Sequence, residues 1–204
     1  MNQVTKNHYD FNKYCTKERW ASYWHQLNGI LSFQHKNALI IGDGDGLMKH
    51  ICQNLGINVD IADIASDLSP NYLVSVNELT KVIDKKYPVV LCCQVLEHLP
   101  FDKFELSINE LSKVCSDTCI ISLPQDHIPF YLRLGTGVCN INKVFCFYKF
   151  WNKHQFDGEH YWELGGKGYS LRKIRRILSK YFQIEKDYTV KENTYHHFFI
   201  CKKP

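Results

Sequence analysis

The sequence predicts an α/β fold: a mostly parallel sheet covered by helices on both faces, with one strand reversed near the C-terminus. Three observations predict it. Apolar strand-like runs alternate four times with helical segments before residue 125. A glycine turn, Gly42, Gly44 and Gly46, sits between the first strand and the helix that follows it. The last two strand-like runs, FQIEKDYTV and HHFFICKK, are separated only by KENTY. A parallel crossover needs a dozen or more linking residues, so this link makes an antiparallel hairpin.

The elements follow in order. Trp20, Tyr23, Trp24, Leu27, Ile30 and Leu31 recur at helical spacing after Thr16, which predicts a leading amphipathic helix over about 16–32. Asn37 to Ile41 is the first strand. Leu47, Met48, Ile51 and Leu55 form the next helix, stopped by Gly56, and Ile57 to Ala62 reads as a second strand that gives way at Asp63. SDLSPN is a loop and VNELTKVIDKK a short helix. VVLCCQVL is the fourth strand, a helix carries Phe104, Ile108, Leu111 and Cys115, and TCIISLP is the fifth strand. About 125–168 fits no strand–helix repeat. Its many aromatics argue against disorder, so it reads as an ordered insertion, a lid over a substrate.

At 204 residues and 45% hydrophobic content, the chain fits one domain spanning 1–204. The net charge of +4 is mild, and the one basic cluster, SLRKIRRILSK, alternates with apolar residues as a solvated helix face does. Nucleic acid is not expected as a partner. Nine cysteines, with no C-x-x-C pair and no apolar leader core in MNQVTKNHYDFNKYCTKERW, point to a reducing, cytoplasmic setting. No apolar window is long enough to span a bilayer. No feature of the sequence sets an oligomeric state.

Glycines after a buried strand let a ligand approach the backbone, and the following helix offers free N–H groups. Asp43 and Asp45 within this turn would repel the pyrophosphate of a dinucleotide, and Leu47 stands where a third dinucleotide glycine belongs. A cationic ligand fits better. S-adenosyl-L-methionine carries a sulfonium and an ammonium, a carboxylate for backbone N–H groups, and ribose hydroxyls for an acid such as Asp63 at the end of the second strand.

The stretches ALIIGDGDG, the strand ending at Asp63, YPVVLCCQVLEHLP and CIISLP resemble, in order and spacing, the successive motifs of class I S-adenosylmethionine-dependent methyltransferases, the type-11-like branch in particular. The resemblance implies a Rossmann-like three-layer sandwich whose seven strands run 3-2-1-4-5-7-6. It implies a cofactor site of Gly42, Asp43, Gly44, Gly46, Asp63, Ser75, Val76 and Gln94. The sequence departs from the family pattern at Ile40, where an acid is common, at Tyr87-Pro88, where Phe-Asp usually starts the fourth strand, and at Ser75, where an acid commonly meets the adenine amino group.

For the acceptor, two stretches offer chemistry. In CQVLEHLP, His98 is a candidate general base, and Glu97 is expected to fix the loop by accepting backbone N–H bonds. In KHQFDGEHYWELGGKGYS, Asp157, Glu159, His160, Tyr161 and Trp162 set carboxylates beside aromatic faces, as sugar and polyol sites do. His160 is the second base candidate, with Glu159 or Asp157 to hold its imidazole; the residues do not choose between the two histidines. His154, Asp157, Glu159 and His160 match no strong metal-ligand spacing, and no metal is expected. The insertion also resembles methyltransferases associated with bacterial surface-glycan synthesis, which implies a small-molecule or glycan acceptor and O-methyl transfer. Two alternatives stand beside this. One is an RNA or protein methyltransferase, if SLRKIRRILSK faces the cofactor cleft. The other is a non-catalytic binding or scaffold protein, for which Ile40, Ser75 and Pro88 speak.

Overall fold

A computed structural model describes residues 15–136 and 140–204. The reading of residues 1–14 as lacking a leader, and residues 137–139 of the insertion, lie outside the described residues. The strands are β1 Asn37–Ile41, β2 Asn58–Asp63, β3 Tyr72–Leu73, β4 Tyr87–Cys93, β5 Cys115–Pro124, β6 His127–Gly135, β7 Asn140–Tyr148, β8 Gln183–Thr189 and β9 His196–Lys202. The α-helices are α1 Lys17–Leu31, α2 Leu47–Asn54, α3 Phe104–Val114 and α4 Leu171–Leu178.

The main sheet runs β3-β2-β1-β4-β5-β9-β8. Numbered among themselves, its seven strands follow the expected 3-2-1-4-5-7-6. Only β9 is reversed, pairing antiparallel with β5 and with β8. The topology explains the burial of β1, which lies between β2 and β4. Its alternate residues feed two separate cores, Ala38 and Ile40 packing on one face with Met48 and Cys52 of α2, Leu39 and Ile41 on the other with Phe104, Ile108 and Leu111 of α3. A strand buried on both sides must be apolar throughout, which is why NALII carries no polar residue after Asn37.

Three elements differ from expectation. In α1 the Thr16 hydroxyl caps the start by accepting from the Arg19 amide at 3.2 Å, but Trp20 and Trp24 are 50% and 57% exposed. The face that docks is Ser22, Gln26, Gly29 and Ile30, because the helix comes so close to β5 that a Cβ on Gly29 would stand 2.7 Å from Ile120 Cδ1. Residues 76–81 form a 3-10 segment, broken at Glu78, rather than an α-helix. The insertion holds a long antiparallel hairpin, β6 with β7, in a sheet of its own. Its pattern was hidden because most described side chains of β6 are exposed on both faces, leaving no polar–apolar alternation to read. No helix among the described residues is long and apolar enough to cross a membrane.

Candidate active site

The loops after β1, β2 and β4 open at the carboxyl edge of the sheet, where open α/β sheets bind ligands. Gly42, Gly44 and Gly46 have φ of +69°, +63° and +76°, left-handed values that a side chain disfavours. Gly42 also packs against the loop after β4, since a Cβ there would meet Val95 Cγ2 at 2.6 Å. Gly46 caps α2 and is not part of the cavity wall. Of the two aspartates, Asp45 is structural: it accepts from the Leu47 amide at 3.0 Å and from the Tyr23 hydroxyl at 2.6 Å, tying α1 to the turn. Asp43 lines the cavity. Burial pushes its carboxyl up to about 6, against the Lys49 amide and ammonium that lower it and with Asp45 and Asp63 adding repulsion.

Asp63 ends β2 with Oδ1 held by the Ala65 amide at 2.8 Å, and burial raises its carboxyl as well. The Ser75 hydroxyl donates to Asn77 Oδ1, so its lone pairs remain to accept. Val76 beside it is buried. Gln94, just past β4, adopts a left-handed φ of +57° that a non-glycine residue seldom takes. Its amide Nε2 donates to Ser122 Oγ at 3.2 Å. These residues face one cavity of about 850 Å³, Ile40 among its walls. Tyr87 is elsewhere: its hydroxyl donates to Asp60 and meets Tyr72, which makes it a sheet-edge strut.

His98, Glu159 and His160 line that same cavity. The two rings meet edge to face with centroids 4.9 Å apart. His98 Nδ1 donates to the Glu159 carbonyl at 2.9 Å. His160 Nδ1 lies 3.3 Å from Glu163 Oε1 and 3.3 Å from the Tyr195 hydroxyl, which itself donates to Glu163. Burial lowers the His98 imidazole; burial also opposes charge on His160, yet the Glu163 bond and the nearby Glu97 carboxyl raise it. Glu97 is fully buried, and neither of its oxygens meets a hydrogen-bond donor in good geometry. Burial pushes it up to about 7, with His160 and its own amide only partly offsetting.

Several expectations for this region are corrected. Glu97 does not fix the loop through backbone amides; the loop is fixed by the Glu97 carbonyl, which accepts from the Tyr161 amide at 2.9 Å. The partner of the His160 ring is Glu163, not Glu159 or Asp157. Asp157 instead accepts from the amides of Glu159 and His160 at 2.9 and 2.7 Å, stapling an exposed loop. Trp162 is 0% exposed, its Nε1 donating to the Leu99 carbonyl and its ring edge-on to Phe101 and Phe104, so it belongs to the core. Tyr161 stacks on Phe156 at 4.4 Å, outside the cavity wall. Arg19, Tyr23, Tyr195 and His196 line the cavity and were not foreseen. For Tyr195 and His196 a signal existed: a reversed strand begins at the carboxyl edge, so the KENTY link had to lie beside the site. The basic helix α4 lines none of it; Arg175 pairs with Asp187 instead.

No family model matches the chain, and no curated protein matches it. Solved structures do. The N-methyltransferase NodS from Bradyrhizobium japonicum WM9, in complex with S-adenosyl-L-homocysteine, superposes with a TM-score of 0.61 at 10% identity over 93% of this chain and 89% of that one. Magnesium protoporphyrin IX methyltransferase from Synechocystis PCC 6803, with bound S-adenosylmethionine, gives 0.61 at 13% over 92% and 80%. The 1,6-didemethyltoxoflavin-N1-methyltransferase of Burkholderia thailandensis gives 0.59 at 14% over 91% and 77%. The chain therefore has the Rossmann-like fold of S-adenosylmethionine-dependent methyltransferases.

Proposed function

We propose that the chain is a cytoplasmic S-adenosylmethionine-dependent methyltransferase that methylates an oxygen of a small molecule or glycan precursor. One observation carries this reading: a single cavity joins a glycine turn and strand-end acid to a half-buried imidazole pair. The turn, with Asp43, Asp63 and Ser75, fits the cofactor, because a half-buried acid beside left-handed glycines suits a cation that must press against backbone. S-adenosylmethionine, when bound, supplies a methyl group activated on a sulfonium. The protein's own part is alignment, which supplies much of the acceleration in such transfers, and acceptance of the acceptor's proton. We assign that second task to His98 or His160, a reading supported by the contacts of Glu163 and Tyr195 with the His160 ring. Glu159 lines the wall beside them. Support for an oxygen acceptor comes from this need for a base, and support for a small one from the absence of basic helix α4 from the cavity wall. The exposed aromatics of the hairpin, Phe130 and Phe147 among them, keep a glycan in view as the acceptor class.

Calorimetric titration with S-adenosylmethionine tests the cofactor assignment, and no heat at high protein concentration would favour a scaffold. A mass-spectrometric search for the gain of one methylene among nucleotide sugars, lipid-linked glycans and tRNA, incubated with protein and cofactor, tests the acceptor.

Two predictions arise from the cofactor end. Asp63→Ala is expected to weaken cofactor binding by roughly 1–3 kcal/mol, the range for a charge-assisted hydrogen bond, in a folded protein. Unchanged affinity by calorimetry would remove Asp63 from the site. Affinity should also depend on pH through Asp43. Above about 6 this carboxylate is charged and attracts the cation; below it affinity falls by up to about tenfold per pH unit. For folding the sign is opposite, since a raised carboxyl contributes stability that is present below its ordinary value of 3.8 and is lost as pH rises through about 6. Asp43→Asn should flatten the affinity profile, and a profile unchanged in that variant would assign the dependence to Asp63 or another group.

A further inference from the structure

Glu97 stands out from every other acid described. It is completely buried, neither of its oxygens meets a hydrogen-bond donor in good geometry, and no lysine or arginine is paired with it among the described salt bridges. Buried carboxylates are ordinarily hydrogen-bonded, ion-paired or bound to metal, because desolvation without compensation is costly. What lies next to Glu97 is a pair of imidazoles. One ligand atom from each of Glu97, His98 and His160 lies within 4.8 Å of the others.

We propose that Glu97, His98 and His160 bind a divalent transition-metal ion, of the borderline class that takes two imidazoles and one carboxylate, beside the acceptor space of the cavity. Three features support it. Two-histidine, one-carboxylate sets suit zinc and its first-row neighbours, whereas magnesium and calcium favour oxygen alone. Metal bonds of about 2.1 Å would bring the ligand atoms to roughly 3–3.5 Å from one another, an adjustment on the scale of side-chain rotation. The outer partners are already in place: His98 Nδ1 donates to the Glu159 carbonyl, and His160 Nδ1 faces Glu163 and Tyr195. That arrangement puts each ring's proton on Nδ1 and its lone pair on Nε2, as metal-binding histidines are commonly held. The ligands come from two distant segments, the end of the β4 loop and the insertion, so local spacing could not reveal them. His98 and His160 are on the cavity wall, so any further ligand, a water or an acceptor oxygen, would reach the ion from there.

Metal binding does not depend on the methyl-transfer reading, and its test uses neither cofactor nor acceptor. The full chain, freed of metal with a chelator, is titrated with Co²⁺ and then Zn²⁺, followed by calorimetry and by the visible bands of bound Co²⁺. The expected result is one ion per chain, with Zn²⁺ displacing Co²⁺ and raising the melting temperature. Glu97→Gln and His160→Ala should each weaken Co²⁺ at least about tenfold, and Glu163→Gln by about tenfold through loss of ring orientation. His35→Ala, whose imidazole pairs with Asp117 away from the cavity, should bind as the parent does. Glu97→Gln preserves shape, so its melting curve without metal shows whether it folds. If it does not, His160→Ala and the visible bands of the parent decide the matter. Absence of bands and heat at millimolar Co²⁺, or equal binding by parent and variants, would overturn the site.

Discussion

Gly44→Val is expected to abolish S-adenosylmethionine binding, lowering affinity at least about a thousandfold, or about 4 kcal/mol, in a protein that still folds. Two effects combine. Gly44 sits at φ +63°, where a β-branched residue costs roughly 1–2 kcal/mol, so the turn would relax away from its present shape. It also lines the cavity, so the new methyl groups would occupy space that the ligand's backbone-facing atoms need. Gly56→Val separates the two effects. Gly56 follows α2 at φ +74° with nothing within 4 Å of the position a Cβ would take, so it carries the backbone penalty without filling any site. That variant should melt earlier yet bind cofactor normally. Calorimetry on both decides: if Gly44→Val keeps its affinity, the turn serves only the packing of strand against helix.

How much of this was legible in the sequence follows from what each signal encodes. The main sheet was readable because a strand buried on both faces must be an apolar run, and because KENTY is too short for anything but a hairpin. The cofactor end was readable for a related reason. Gly42, Gly44 and Asp63 are set by backbone geometry at strand ends, so sequence position and spatial position coincide. The acceptor end was not, because it is assembled from three separate segments. Glu97 and His98 come from the loop after β4, His160 from the insertion, and Tyr195 from the link into β9. Within the insertion, composition marked acids and aromatics as one group, but burial divides them. Trp162 went to the core because its indole found Leu99 and two phenyl rings, while Asp157 stayed outside as a loop staple. Amphipathic spacing likewise located α1 but not its docked face, which a close approach at Gly29 decides.

His160→Ala is expected to lower turnover on the true acceptor by about 100-fold, the usual contribution of a positioned base, while cofactor affinity stays nearly unchanged. The two ends of the cavity are built from different elements, the cofactor end from the β1 and β2 loops and His160 from the insertion, which is why the effects should separate. The loop should also survive the truncation. Asp157 still holds two amides, Trp162 remains buried, and Tyr195 still donates to Glu163 once the ring is gone. Whether His160 takes the proton itself or would hold an ion that lowers the acceptor's pKa, the loss falls on the chemical step, and the Co²⁺ titration distinguishes the two. His98→Ala is the necessary companion. A large loss confined to that variant would transfer the role to His98, whose Nδ1 donates to the Glu159 carbonyl. If His160→Ala instead melts much earlier and loses cofactor and acceptor together, His160 is a structural residue, and the imidazole pair was built to hold the loop rather than to serve the reaction.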